Sequence, residues 1–291
     1  MNSKFLPNLL AEDWHIDLKF AQREYSNLLN NLALIEAGVP MSDIFSEMKK
    51  ESGRVKAIDL NDESYYDVED ITNIKTSTIL ELSFSGTMRN EDGLCSYGIN
   101  SLVEKIYAGY ANPNVKAILL NMNSGGGYSS SGYNLQSAVA DKNKPFVVRT
   151  PFLGSAAVNG TAPATEIIGA TEAAEIGSIG TYLSINTKAL KEYVGEFKDI
   201  YSRVSPDKNK DIRAAFQGDF SLLEDYVTDN AKMFQKSVSK YRPLNEKLME
   251  STLAGAMFMA EDAKKRGLID SIGSRTFALK RINSHIKYFK Q

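Results

Sequence analysis

The stretch 152-FLGSAAVNGTAPATEI-167 places Ser155 after a glycine and ahead of small residues, where a strand pattern gives way to a helix pattern. A hydroxyl held at a helix start can project from a sheet edge as a nucleophile. The same position suits a serine that caps the helix, and GSAAV lacks the G-x-S-x-G pattern of a nucleophile elbow. One strand earlier the chain carries 124-SGGG-127, again between a strand and a helix. Consecutive glycines let backbone approach another chain closely, and at a helix start their N–H groups share the positive end of the dipole. Such a loop can cradle a phosphate, hold an oxyanion, or be a tight turn and nothing more. It is not a P-loop, because no Gly-Lys-Ser/Thr follows, and the G-x-G-x-x-G spacing is absent.

A nucleophilic serine needs a base. The chain has two histidines, His15 and His285, each close to an end of the sequence and outside the predicted α/β body, which argues against a Ser-His-Asp triad. The remaining base is a lysine whose pKa is lowered by burial. Counting lysines selects none of them. The lone Cys95 permits no intrachain disulfide and no cysteine-rich metal site, and reads as a small, partly buried residue. No metal or cofactor is expected.

The elements that must position these residues follow from pattern. Residues 1 to about 58 read as helical, with apolar positions at three-to-four spacing from Leu9 and Trp14 through Leu34, a break at Gly38-Val39-Pro40, and a further short helix that Ser42 could cap and that contains Ile44, Phe45 and Met48. The acidic stretch 61-NDESYYDVED-70 reads as an exposed linker. Beyond residue 76 the pattern predicts a strand over 79–84, a helix over 99–110, a doubly buried strand over 115–123, a helix over 131–140, and strands over 145–150 and 166–170. Strand–helix alternation with short connections predicts an α/β fold of stacked β-α units, with strand-to-helix turns at the carboxyl edge of a sheet. A helix capped by Thr187 and a long amphipathic helix from Phe220 follow. The basic tail Lys280, Arg281, Lys287 and Lys290 reads as a solvated terminus. The expected division is a helical extension and linker over 1–75, an α/β domain over 76–275 and a basic tail over 276–291.

Of 291 residues, 43% are hydrophobic and 24% charged, and the net charge is −2. That balance gives no electrostatic reason to expect nucleic acid or an anionic membrane as partner. The N-terminal stretch does not read as a signal peptide, and no run approaches the roughly 18 apolar residues a membrane span needs. The expectation is a cytoplasmic protein, neither secreted nor membrane-spanning.

Residues 79–273 resemble the signal peptide peptidase A family of serine peptidases, whose fold is shared with Clp protease and crotonase. Four segments carry the resemblance in order: 123-NSGGG-127, 154-GSAA-157, 177-GSIGTYLS-184 and 255-GAMFMAEDAKKRGLIDSIG-273. They are similar to the family's Asn-Ser-Pro-Gly-Gly loop, its Ala-Ser-Gly-Gly nucleophile segment, its Gly-Ser-Ile-Gly-Val segment and its closing Gly-Leu-Val-Asp-x-x-Gly pattern. Glycine replaces the proline of the first, and alanines, Ala156 among them, replace the glycines of the second.

The resemblance implies a Ser-Lys dyad with Ser155 as nucleophile. The family's lysine follows its serine by a little over fifty residues, which falls in 202-SRVSPDKNKDIR-213, on Lys208 in preference to Lys210. Ser178 would orient the lysine amine. Backbone N–H groups of the loop Gly125, Gly126 and Gly127 would stabilise an oxyanion, and the loop could pair with an extended substrate. The resemblance also implies a homo-oligomeric ring. Trp14-His15-Ile16-Asp17 resembles the extension of phage-encoded members, which implies head maturation with scaffold or capsid proteins as substrates inside a prohead. A cytoplasmic peptidase acting on short peptides, a crotonase-like acyl-CoA enzyme and an inactive scaffold of the same fold are the alternatives.

Overall fold

The computed structural model describes residues 14–17, 19–20, 22, 29, 33–44, 53–93 and 97–289. The strands, in chain order, are β1 (Trp14–Ile16), β2 (Val55–Asp59), β3 (Tyr65–Asp67), β4 (Thr78–Ser85), β5 (Val115–Ser124), β6 (Gly126–Tyr128), β7 (Phe146–Gly154), β8 (Glu166–Gly169), β9 (Glu175–Gly177), β10 (Met257–Met259) and β11 (Ser271–Ile272). The helices used below are α1 (Ile99–Ala111), α2 (Ser129–Ala140), α3 (Ala156–Thr161), α4 (Thr187–Glu196), α5 (Lys210–Phe216), α6 (Ser221–Tyr241), α7 (Ala260–Lys265) and α8 (Arg275–Tyr288).

Strands β4, β5, β7 and β8 run parallel, as β-α units require. Among the described residues they form the centre of a nine-stranded sheet in the order β10-β9-β7-β5-β4-β2-β3, with β8 alongside β7 and β11 alongside β8. The apolar run of β5 is buried on both faces. Ile118, Leu120 and Met122 join Leu80, Leu82 and Phe84 in the large core under α1 and α2. Ala117 and Leu119 face the other way, with Ile79, Val147 and Ile168. The fold is α/β, as the alternating pattern predicts.

Three expectations give way. Trp14–Ile16 is a strand rather than a turn of helix. Residues 55–59 and 65–67, predicted as helix and linker, extend the sheet, β2 antiparallel to β4 and β3 antiparallel to β2. Ala57 and Ile58 lie on opposite faces and fill both cores, which a flanking helix could not do. The third is the tail, a helix that packs one face on the sheet while Lys280 and Lys287 stay exposed. Ala278 and Ile282, one turn apart on α8, are fully buried against the second core.

Two buried acids hold α8 in place. Glu81 accepts from Arg275 and Asn121, and Glu166 accepts from Arg281 and Ser271 with His285 Nε2 at 2.7 Å. His285 is therefore a sheet-packing residue. The expected helices at 1–13 and 45–50, Cys95 and Lys290 lie outside the described residues.

Candidate active site

The turn at Ser155 begins with a defect in β7. Val147–Thr150 pair with β8, whereas Phe152–Gly154 pair with β9. The change falls at Pro151, which has no N–H to offer a ladder. Between Arg149 and Phe152, β7 also carries one more residue than β5 does opposite it, a bulge that re-aims the strand end. Ser155 then adopts φ 53° and ψ −118°, a region that strains a non-glycine residue by about 1–3 kcal/mol. Its N–H donates to Gly177 O at 2.8 Å, which ties the turn to β9.

Ser155 occupies the N-cap position of α3, but its side chain makes no capping bond. The hydroxyl, on a residue only 1% exposed, makes one long bond to Gly180 O at 3.4 Å. The capping role is unfilled, and Oγ is held loosely enough to change partners. Ala156, where the resemblance has glycine, is fully buried and fits because α2 presents Gly132 to it; a Cβ on Gly132 would meet Ala156 O at 3.0 Å.

The glycine loop lies directly against this turn. A Cβ on Gly154 would come within 3.1 Å of Gly125 Cα. Gly126 takes φ 94°, and a Cβ on Gly127 would stand 2.0 Å from Met88 O, so neither position accepts a side chain. The Gly126 N–H donates to Ser124 Oγ at 3.1 Å, and Ser124 Oγ donates to Gly86 O at 2.6 Å. The amide of Gly126 thus has an internal partner. One edge of β6 is bonded to Met88, through Met88 N to Gly126 O and Tyr128 N to Met88 O. The other edge pairs antiparallel with β1, His15 opposite Gly127. His15, expected to lie apart from the α/β body, has its backbone on the glycine loop.

Ser178 follows Gly177 at φ 56°, with its N–H on Ala256 O at 2.8 Å. The structure therefore gathers Ser155, the glycine loop and the GSIG segment at one sheet edge. Beside GSIG lies a cleft of about 580 Å³, lined by Thr181, Tyr182, Leu183 and Ile185 and by Leu223 and Val227 of α6.

The lysines stand apart. Lys208 is exposed and makes no ion pair among the described residues; Lys210, also exposed, lies 3.5 Å from Asp207. Both sit on an arm whose aromatic stack, Tyr193 on Phe197 and Phe216, forms a small core of its own. Along this arm Ile200 is 93% and Val204 89% exposed. Two other lysines have lowered pKa values, Lys142 and Lys144, the latter brought to about 8 by burial and by Lys116. Neither can serve Ser155. They precede β7 and Ser155 follows it, so the nine-residue strand separates them by roughly 30 Å. Lys144 instead bonds the carbonyls of Gly109, Asn112 and Val115 where α1 ends.

Sequence reasoning missed two features of the site. Asn159 on α3 is fully buried, and Gln136 Nε2 bonds its backbone and side-chain oxygens and Ser237 Oγ, locking α2, α3 and α6 together. No local pattern announces that triangle. The pairing of β1 was signalled by the alternation Trp14, His15, Ile16, Asp17, hidden inside a longer helical period.

Residues 138–288, just over half of the chain and inclusive of Ser155, match the profile of peptidase family S49. The chain belongs to peptidase family S49. A Methanocaldococcus jannaschii protein named as a protease is 31% identical over 178 residues, 58% of this chain and 55% of that one. Protease 4 of Salmonella typhi is 26% identical over 252 residues, 82% of this chain and 40% of that one. An Enterococcus faecium protein named as a signal peptide peptidase is 25% identical over 264 residues, 85% of this chain and 75% of that one. The chain spans about half the length of the first two of these S49-like relatives. Among solved structures, a membrane-bound stomatin-specific protease aligns at TM-score 0.44 and 13% identity, over 70% of this chain and 82% of that one. An enoyl-CoA hydratase/isomerase family protein from Hyphomonas neptunium aligns at TM-score 0.41 and 14% identity, over 73% and 72%. Among the described residues, no helix is long and apolar enough to cross a membrane.

Proposed function

We propose that this S49 chain is a serine endopeptidase with Ser155 as nucleophile and Lys208 as base. The observation that carries the reading is the strained, bulge-aimed turn at Ser155, packed against the glycine loop and free of a capping bond. Oγ attacks the peptide carbonyl as its proton passes to the neutral lysine amine. The oxyanion is met by backbone N–H groups of the 125–127 loop, that of Gly126 once it leaves Ser124 Oγ. Collapse of the tetrahedral intermediate breaks the C–N bond, the lysine returns its proton to the leaving amine, and water then hydrolyses the Ser155 ester. Ser178 orients the amine.

Lys208 reaches Ser155 when the 197–209 arm closes over the site or when a neighbouring copy in a homo-oligomer presents its own arm. Either motion covers Ile200 and Val204, whose exposure in the lone chain is otherwise costly. Phage or prophage head maturation, with scaffold or capsid protein as substrate, is the finer reading; its support is the resemblance of Trp14-His15-Ile16-Asp17.

The test is cleavage of an unfolded protein, followed on gels, by the parent and by Ser155→Ala, with fluorophosphonate labelling in parallel. Hydrolysis and labelling both fall to background in the variant. Equal processing by the variant removes the nucleophile assignment. Comparing a capsid precursor with short peptides then separates the phage role from general peptide hydrolysis.

A further inference from the structure

The edge of the glycine loop that faces away from Met88 is already taken, and by the chain itself. Trp14, His15 and Ile16 pair antiparallel with Tyr128, Gly127 and Gly126, and Asp17 N donates to Gly125 O at 2.7 Å. Asp17 Oδ1 then accepts from Phe20 N at 3.1 Å, which folds the segment down. Phe20, 3% exposed, lies with its ring 5.4 Å from that of Phe152, and its Cβ fills the space a side chain on Gly125 would need. Ile16 is 6% exposed. On the far side, Tyr182 of the GSIG segment is close enough to feel Asp17: burial first, then the Asp17 charge, pushes its hydroxyl pKa up. The segment is bracketed by the glycine loop, the strand leading to Ser155 and the segment after Ser178.

We propose that residues 14–17 are a built-in substrate mimic, an added strand anchored by Phe20 beyond it and lying where an extended polypeptide would pair, which must leave before a substrate enters. The inference rests on the reading of Ser155 and the glycine loop as a peptidase site. Backbone pairing to a sheet edge, with alternate side chains in pockets, is how extended peptides are recognised. β1 meets that description with three paired residues and one buried apolar side chain, Ile16, while Phe20 beyond it supplies a second anchor. It is also detachable, since it pairs with nothing but β6 among the named strands. Being tethered, it competes at an effective concentration in the millimolar range, so a free substrate of equal affinity is largely excluded. The vacated site takes an aliphatic side chain where Ile16 sits.

The experiment uses the full chain and two variants. Phe20→Ala removes an anchor, and Asp17→Pro removes the donor to Gly125 without touching a core residue. Peptide hydrolysis by each is compared with the parent, and binding of a labelled peptide of sequence DWHIDLKF is measured for each by fluorescence anisotropy. Displacement of a competing strand lowers KM at least tenfold with little change in kcat, and the labelled peptide binds the variants but not the parent. A KM that is unchanged or raised, with no peptide binding, makes β1 a fixed wall of the groove and overturns the proposal. Should no variant hydrolyse peptide, the Ser155 reading fails on its own. The mimic is then decided by whether DWHIDLKF binds the Ser155→Ala, Asp17→Pro double variant, since binding needs no chemistry.

Discussion

Ser155 and Gly177 are joined backbone to backbone, N–H to carbonyl at 2.8 Å, and both residues lie at positive φ. The bond therefore clamps Ser155 in a conformation it would not hold alone. Glycine bears such a conformation without strain, whereas serine does not. Replacing Ser155 with glycine relieves the strain, and replacing it with alanine keeps it. Ser155→Gly is expected to exceed Ser155→Ala in stability by about 1 kcal/mol, both being inactive. Thermal melts of the two proteins check this, and an alanine variant more stable than the glycine one contradicts a strained turn.

The two arm lysines make different predictions. Lys208→Ala abolishes turnover if its amine is the base. Lys210→Ala loses one exposed ion pair with Asp207, worth about 0–1 kcal/mol, and keeps most activity. Hydrolysis of the same unfolded protein by each variant checks this, and an active Lys208→Ala removes Lys208 as the base.

Glu166 links stability to acid. Burial by itself would raise its pKa, but bonds from Ser271, His285 and Arg281 outweigh that and leave it below the ordinary carboxylate value. The folded state therefore binds this proton less readily than the unfolded chain. Its stabilisation is complete above the unfolded value near 4.3 and is lost as pH falls through the folded one. Glu166→Gln is expected to cost about 1–3 kcal/mol at pH 7. Urea melts from pH 7 to 3 should show the gap between parent and variant closing as the acid limb is reached.

Lys144 shares that sign in a higher pH window, although here burial disfavours the charged form. With its folded pKa brought down to about 8, chiefly by burial, the unfolded chain holds the proton more tightly between pH 8 and the ordinary lysine value near 10.4. Stability contributed by this group rises with pH across that window. The difference in urea midpoint between the parent and Lys144→Met widens from pH 8 to 10; a constant difference means that the amine is not desolvated.

Much of this architecture is written locally. The doubly apolar run of β5 can only be an interior strand, and the alternation of strands and helices fixes the edge at which Ser155 and Gly125–Gly127 emerge. What local pattern cannot carry is pairing chosen by a distant partner. Val55–Asp59 becomes a strand because β4 offers an antiparallel edge, and Ala278 and Ile282 are buried because Glu81 and Glu166 anchor the arginines of their helix. Trp14–Ile16 is extended because Gly126–Tyr128 lies beside it. The position of Lys208 is the least legible. Its arm has few contacts with the body, so neither apolar period nor charge pattern says where the amine comes to rest.

The order of β1 and β6 along the chain bears on synthesis. A ribosome releases the N-terminal side first, so residues 14–20 are waiting in the nascent polypeptide before the glycine loop or Ser155 has been made. On the proposed reading, the groove then meets its occupant in the act of forming, and the paired edge of Gly126–Tyr128 is covered before another polypeptide can reach it.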